Sequence, residues 1–403
     1  MKIGIIGGGA SGMMAAVTAA EQPDHQVLLF ERQFRVGKKL LATGNGRCNL
    51  TNLHTGDEFY HGASVSFSAP ALKAFPPEKT LEFFQSHGLL TVTEPSGRVY
   101  PYSDQANSVV DVLRFALSRS NIQVETSCEV MAVKHEDGKF TLKTAEKTFD
   151  VDRLIVTAGG LAGTKLGGSL SGYQLLRSLG HHCTKLYPSL VQLKTEDTLV
   201  KSLKGVRAQA KVRLLQRDSV LAESKGEVQF TEYGVSGPAI FEISRAASCA
   251  ETDCTVQLDL LQDFEGDKLL SALCLRIAAQ PSMTCDDLLT GFLHNRLGRV
   301  ILRYAGISGT QTLSELPWVQ LSAVCDAVHC FELPVIGTMG MDCAQVTAGG
   351  ICTEEFDPET LQSRIVPGLY AAGEVLDIDG DCGGYNLQWA WASGRLAGQL
   401  LGD

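Results

Sequence analysis

Lys2-Ile3-Gly4-Ile5-Ile6-Gly7-Gly8-Gly9-Ala10-Ser11-Gly12 opens the chain, and Val27-Leu28-Leu29-Phe30-Glu31 follows it. The pattern is a short apolar strand, a turn with glycine at 7, 9 and 12, an alanine-rich helix, and a second strand ending in a carboxylate. Each part has a physical task. Gly7 permits the tight turn, Gly9 lets a pyrophosphate approach the backbone, and Gly12 lets helix and strand pack closely. The helix N-terminus, with Ala10 and Ser11 in its first turn, offers unpaired N–H groups and partial positive charge to phosphate. Glu31 lies about 20 residues past Gly12, where a carboxylate accepts hydrogen bonds from ribose hydroxyls. Its charge repels the 2′-phosphate of an NADP-type ligand, which leaves FAD or NAD for this turn.

The 403 residues exceed one ordinary domain, and 44% hydrophobic content with 41 glycines suits an α/β protein rich in tight turns. No apolar run reaches the roughly 18 residues of a membrane span, so no membrane association is expected. The glycines at 7–9 interrupt any signal-like opening, and the expected location is the cytoplasm. Twelve cysteines without a C-x-x-C pair read as free thiols, many of them buried as small hydrophobes. A net charge of −10 disfavours nonspecific nucleic-acid binding. Asp377, Asp379 and Asp381 have part of the spacing of a calcium loop without its distal Glu. The adjacent His181 and His182 would point opposite ways on a strand. No metal site is expected.

Along the chain, Gly37 to Asn49 has turn chemistry throughout, and residues 78–88 and 105–119 read as amphipathic helices. Strands are expected at Glu129–Lys134, Lys139–Thr144 and Phe149–Val151, with Asp137-Gly138 as a hairpin turn. Leu154-Ile155-Val156-Thr157 reads as a buried parallel strand ending at Ala158-Gly159-Gly160, where small residues permit close backbone approach. From about 190 to 262 the period becomes two, as in Ala208, Ala210, Val212 and Leu214, which predicts an antiparallel sheet or small barrel. Residues 266–328 turn helical. Thr284 to Asp287 resembles a capping box, with Leu288, Leu289, Phe292, Leu293, Leu297 and Val300 as one apolar face behind it. Pro367 to Glu374 is a strand running into a glycine turn, and a final helix opens at Asp381 to Gln388 and continues to about Leu401. The first and last segments are expected in one sheet, so the middle is an insertion.

Five stretches carry a resemblance: Gly7–Gly12 with Glu31; Gly37–Asn49, ending Gly-Arg-Cys-Asn; Phe230–Pro238; Val346–Gly350; and Gly373-Glu374 through Ala392. Together they resemble FAD-containing oxidoreductases of the two-dinucleotide-fold type. More narrowly, they are similar to the bacterial FAD-binding flavoprotein family that includes YhiN, BaiN and aminoacetone oxidase. Ser171 stands where that family often has glycine. The resemblance implies an α/β fold, a Rossmann-like FAD-binding domain (1–189 and 336–403) interrupted by an antiparallel β subdomain (190–262) and a small helical subdomain (263–335).

It also implies FAD held by Gly7, Gly9, Ala10, Ser11 and Gly12, with Glu31 on the adenosine ribose and Arg32, Lys38 and Val130 on the cofactor side. Thr43, Gly44, Asn45 and Arg47 would follow the pyrophosphate or flavin side, with Ala158, Gly159 and Gly160 also against the cofactor. Gly373 and Glu374 fall near the pyrophosphate and ribityl, and Gly383, Gly384, Tyr385, Asn386 and Leu387 at the flavin ring. Backbone N–H groups at that last helix start would stabilise negative charge on the reduced ring. Tyr385, Asn386, Arg98 and Tyr100 are the candidate catalytic side chains. Cys48, Trp389 and Trp391 read as packing.

No second glycine fingerprint follows a strand between 190 and 335, so NADH or NADPH would dock directly at the flavin as a transient reductant. The expected function is an FAD-dependent oxidoreductase passing a hydride between flavin and a small organic substrate. The alternatives are a flavin-dependent ribosomal RNA dihydrouridine synthase and an FAD-binding protein without turnover. The basic cluster Lys194, Lys201, Lys204, Arg207, Lys211, Arg213 and Arg217 speaks for the RNA alternative. Substrate, electron donor and oligomeric state stay open.

Overall fold

The computed structural model describes residues 1–402 except 197, 218, 251, 252 and 265. Two compact units emerge, Met1–Tyr187 with Ala344–Asp403, and Pro188–Cys343. Each has its own hydrophobic core.

In the first unit, five parallel strands form one sheet in the order Leu369–Ala371, Arg153–Val156, Lys2–Ile6, Gln26–Phe30, Ile122–Glu125. The three central strands are almost entirely apolar and buried, as strands covered on both faces must be. The first strand and the carboxy-terminal strand Leu369–Ala371 therefore share this sheet, with Arg153–Val156 between them. A separate antiparallel sheet joins Ala132–Glu136, Lys139–Lys143 and Thr148–Val151, with Asp137 and Gly138 both at positive φ in the hairpin turn.

Helix Ala10–Ala19 is buried along nearly its whole length and packs against helix Tyr385–Gly398. Small residues make that contact. A Cβ on Gly394 would stand 2.4 Å from the Ser11 carbonyl oxygen, and one on Gly398 would stand 2.6 Å from that of Ala15. The two backbones touch because nothing larger than hydrogen separates them.

The second unit is a closed six-stranded barrel: Leu193–Thr195, Gly234–Ser236, Ser219–Phe230, Arg207–Gln216, Cys254–Asp259 and Phe331–Thr338. Inward residues Ala210, Val212, Leu214, Val256 and Leu258 are fully buried, which is the period-two pattern of the sequence made solid. Helices Gly266–Ala279, Asn295–Tyr304 and Trp318–His329 contribute Leu273, Leu297, Ile301 and Val324 to the same core. The barrel and helical segments are thus one body with one core, because Phe331–Thr338 returns after the helices to close the barrel. The expected division at 262 and 335 gives way to that closure.

The helix expected to begin at Thr284 does not form. Cys285–Asp287 makes a single 3-10 turn, Thr284 donates no side-chain cap, and Gly291 at φ +87° breaks the chain before Asn295. The capping box instead lies at Thr312 and Glu315. No helix among the described residues is long and apolar enough to cross a membrane.

Candidate functional site

The glycine turn is compact. Gly7 sits at φ +108°, and a Cβ there would stand 2.4 Å from the Thr157 carbonyl oxygen. A Cβ on Gly12 would stand 1.8 Å from the Gly7 carbonyl oxygen. Around Gly9, Gly46 and Gly159, by contrast, a Cβ would meet nothing within 4 Å. Helix Ala10–Ala19 starts without a side-chain cap, so its leading N–H groups stay free for an anion. Glu31 is oriented by backbone: Oε2 accepts from Gly8 N–H at 2.8 Å and Oε1 from Gln33 N–H at 2.7 Å. Each oxygen keeps lone pairs for further donors. Cys128 N–H donates to the Glu31 carbonyl at 2.9 Å, which brings the segment holding the buried Val130 alongside.

Arg32 and Lys38 are committed to protein groups. Arg32 donates to the Gly167 carbonyl at 2.6 Å and pins that loop, while Lys38 donates to Gln33 Oε1 at 3.0 Å.

The Gly37–Asn49 segment is strained. Gly44, Asn45, Gly46 and Cys48 all have positive φ, and for Asn45 and Cys48 this costs about 1–3 kcal/mol each. Thr43 bonds the Leu40 carbonyl at 2.7 Å. Arg47 is held by Asp104, by Glu94 at 3.1 Å and by the Tyr100 ring 3.9 Å away, and these acids raise its pKa further. Its charge is spent on the protein. Burial pushes the Cys48 thiol to about 12 against a hydrogen bond with Thr43, so it is a packing group and not a thiolate nucleophile. Asn49, which pattern reading passed over, buries a side-chain oxygen with no hydrogen-bond partner, 3.0 Å from where a Gly384 Cβ would be. An orphaned acceptor of this kind marks a place where a missing donor belongs.

The carboxy-terminal motif meets the first one. A Cβ on Gly373 would stand 2.5 Å from Ser11 Oγ, and Gly373 N–H donates to Ser393 Oγ at 3.0 Å. Glu374 is ion-paired to Lys39 at 2.7 Å and accepts from Thr347 N–H at 2.9 Å; a Cβ on Gly160 would collide with it. Ala158 packs against Gly172, so the Ala158–Gly160 turn is close-fitted except at Gly159.

At the start of the last helix, Gly384 is the N-cap and no side chain caps it. Gly383 and Gly384 lie against Asn52 and Thr51, with Asn52 Nδ2 donating to the Gly383 carbonyl at 3.0 Å. Tyr385 is buried, its ring stacked on Phe59 at 4.4 Å, and Leu387 packs against the core. Asn386 spends its amide on the loop before it: Oδ1 accepts from Gly380 N–H at 2.9 Å, and Nδ2 donates to Gly380 and Asp381 carbonyls. Gln388, Trp389 and Trp391 each hold backbone or a buried hydroxyl, Trp391 donating to Leu50 at 2.9 Å and Trp389 to Gly373 at 3.2 Å.

Arg98 pairs with Asn52 across two strands, and among the described residues its guanidinium has no hydrogen-bond or ion-pair partner. His181 and His182, expected to diverge, both reach Glu355, at 2.9 and 2.5 Å, because the segment is irregular and not a strand. Among the described residues no three His, Cys, Asp or Glu side chains gather as a metal site would need.

The open space at three glycines, two uncapped helix starts and the orphaned Asn49 oxygen fit a bound dinucleotide. The family model for the HI0933-like protein Rossmann domain matches residues 1–400. The 3-dehydro-bile acid delta(4,6)-reductase of Clostridium scindens is 43% identical over 100% of this chain and 99% of its own length. The ribosomal RNA dihydrouridine synthase of Escherichia coli K12 is 30% identical over 98% and 97%. Among solved structures, the 3-ketosteroid delta1-dehydrogenase of Sterolibacterium denitrificans superposes with a TM-score of 0.51 over 98% of each chain at 11% identity, a likeness of fold. The chain belongs to the HI0933-like Rossmann family and is an FAD-binding, flavin-dependent oxidoreductase.

Proposed function

We propose that this protein saturates a carbon–carbon double bond conjugated to a carbonyl in a small steroid-like acid, with NADH or NADPH as the electron source. The observation that carries this reading is the 43% identity, end to end, with a 3-dehydro-bile acid delta(4,6)-reductase, whose name specifies a carbonyl and double bonds on one skeleton. FAD, when bound, supplies hydride transfer to such a bond.

The chain's own groups do the rest. The free N–H groups at Ala10–Gly12 would hold the pyrophosphate, and Glu31, already aimed by Gly8 and Gln33, would accept from the adenosine ribose. The N–H groups opening helix Tyr385–Gly398 would favour negative charge on the reduced ring, and Asn49 would use its spare oxygen as an acceptor beside it. Arg32, Lys38 and Arg47 would support these loops from behind, since their donors are engaged elsewhere.

A second reading, reduction of uridine in ribosomal RNA, is supported by the 30% relative. Four of the seven cations of the basic cluster that favoured it share three glutamates. Lys204 pairs with Glu232, Arg207 with Glu227, and both Lys211 and Arg213 with Glu223. Anaerobic reduction of the purified protein with NADH or NADPH, followed by mixing with 3-oxo-4-ene and 4,6-diene bile acids, separates the two. Reoxidation with formation of saturated product is expected. Failure of every such acid to reoxidise the protein, together with loss of dihydrouridine in the large-subunit RNA of a deletion strain, would transfer the assignment to RNA.

A further inference from the structure

Just before the Gly383–Gly384 turn, Asp381 carries an imidazole. His61 Nε2 lies 2.7 Å from Asp381 Oδ1, and each side chain is about a third exposed, sheltered yet reachable. The pair joins distant parts of the sequence through a built scaffold. His61 is the strand partner of Asp379, and Asp381 N–H donates to the Phe59 carbonyl at 2.9 Å. The Phe59 ring stacks on Tyr385, and Asn386 Nδ2 holds the Gly380 and Asp381 carbonyls. Asn386 is therefore a positioning residue for the loop that bears Asp381. The other ring nitrogen, Nδ1, has no hydrogen-bond partner among the described residues.

Four other titratable groups of the candidate site are poorly suited to proton transfer. Arg47 is engaged by Asp104 and Glu94, Cys48 is buried, and burial raises the hydroxyl pKa values of Tyr60 and Tyr100. An imidazole held by a carboxylate is a side-chain arrangement suited to general acid and base work.

We propose that His61 is the acid of the reductive step, its ring fixed and its charge balanced by Asp381; this rests on the double-bond reduction proposed above. FAD, when bound, would supply the hydride that bonds to the carbon β to the carbonyl, with a reduced nicotinamide as its source. The π pair shifts to the α-carbon, where a new C–H bond forms as the His61 Nδ1–H bond breaks. The imidazole is left neutral and recovers its proton from water. The substrate gains two electrons and two hydrogens, and the nicotinamide is what is oxidised.

His61→Gln tests this by separating the half-reactions. FAD content, reduction by NAD(P)H and reoxidation by ferricyanide, which needs no proton on carbon, are expected to be unchanged. Reoxidation by the enone acid is expected to slow about 100-fold. In D2O the wild type is expected to place deuterium on one face of the α-carbon, and the variant to lose that preference. Asp381→Asn should show a smaller loss in the same step, partly restored by Asp381→Glu. A His61→Gln protein that reoxidises as fast as wild type, with the same facial labelling, overturns the inference alone. A wild type that no enone acid reoxidises overturns the proposed function and this inference with it.

Discussion

The two units of this chain are held together by different means. In the unit formed by Met1–Tyr187 and Ala344–Asp403, polar side chains reach across hundreds of residues to hold backbone or one another: Trp391 to Leu50, Asn52 to Gly383, Thr51 to Gln388. Its helices meet backbone to backbone at Gly394 and Gly398. In Pro188–Cys343 the core is leucine and valine inside a barrel, and the polar work is cross-strand ion pairing on the surface, such as Arg213 with Glu223 at 2.7 Å. The first unit specifies one backbone shape because a ligand must lie along it. The second specifies mainly volume and alternation.

That contrast can be broken most severely at Gly12. Gly12→Val places carbon where the Gly7 carbonyl oxygen already is, and destabilisation beyond about 5 kcal/mol with loss of bound flavin is expected. Thermal melts and flavin absorbance would show it; retained flavin at wild-type stability would refute the close-packing argument. In the barrel, Leu258→Ala should cost about 2–5 kcal/mol as a cavity, yet leave flavin content intact below the melting temperature.

A smaller effect is expected from acid. Burial holds the His181 pKa below its ordinary 6.5, against the hydrogen bond to Glu355. The folded value is the lower one, so the favourable contribution is present above pH 6.5 and is lost as pH falls through the folded value. Burial also opposes ionisation of Glu355, but hydrogen bonds from His182 and His181 prevail and lower its pKa, which adds a loss only at more acidic pH. His181→Gln should therefore flatten the fall of melting temperature between pH 7 and about pH 5; an unchanged slope would show that this histidine is not responsible. Least of all should happen on Lys211→Ala, whose partner Glu223 also has Arg213, and no measurable change in melting temperature is expected.

Much of the first unit was legible because its signals are local. A glycine turn, an apolar strand and a terminal carboxylate sit within a few tens of residues, and the period-two alternation of Ala210, Val212 and Leu214 needs no partner to be read. What escaped depends on partners remote in sequence. Asn386 and Arg47 looked free for chemistry because the groups that occupy them, Gly380 and Asp381 for one, Glu94 and Asp104 for the other, reveal themselves only in three dimensions. His61 was invisible as chemistry until Asp381 came beside it. The basic cluster of the barrel was read without the glutamates 223, 227 and 232 that fold across from it. The helix expected after Thr284 failed at one glycine, where a left-handed turn outweighed an apolar pattern.

The seat of helix Tyr385–Gly398 on Ala10–Ala19 has a consequence for biogenesis. A ribosome that has finished the first sheet strands exposes a nascent chain whose opening helix still lacks its mate, and whose sheet still lacks the edge strand Leu369–Ala371. The cradle can close only once Leu369–Ala371 and Tyr385–Gly398 have joined the opening segment, so the flavin cradle belongs to a late stage of folding.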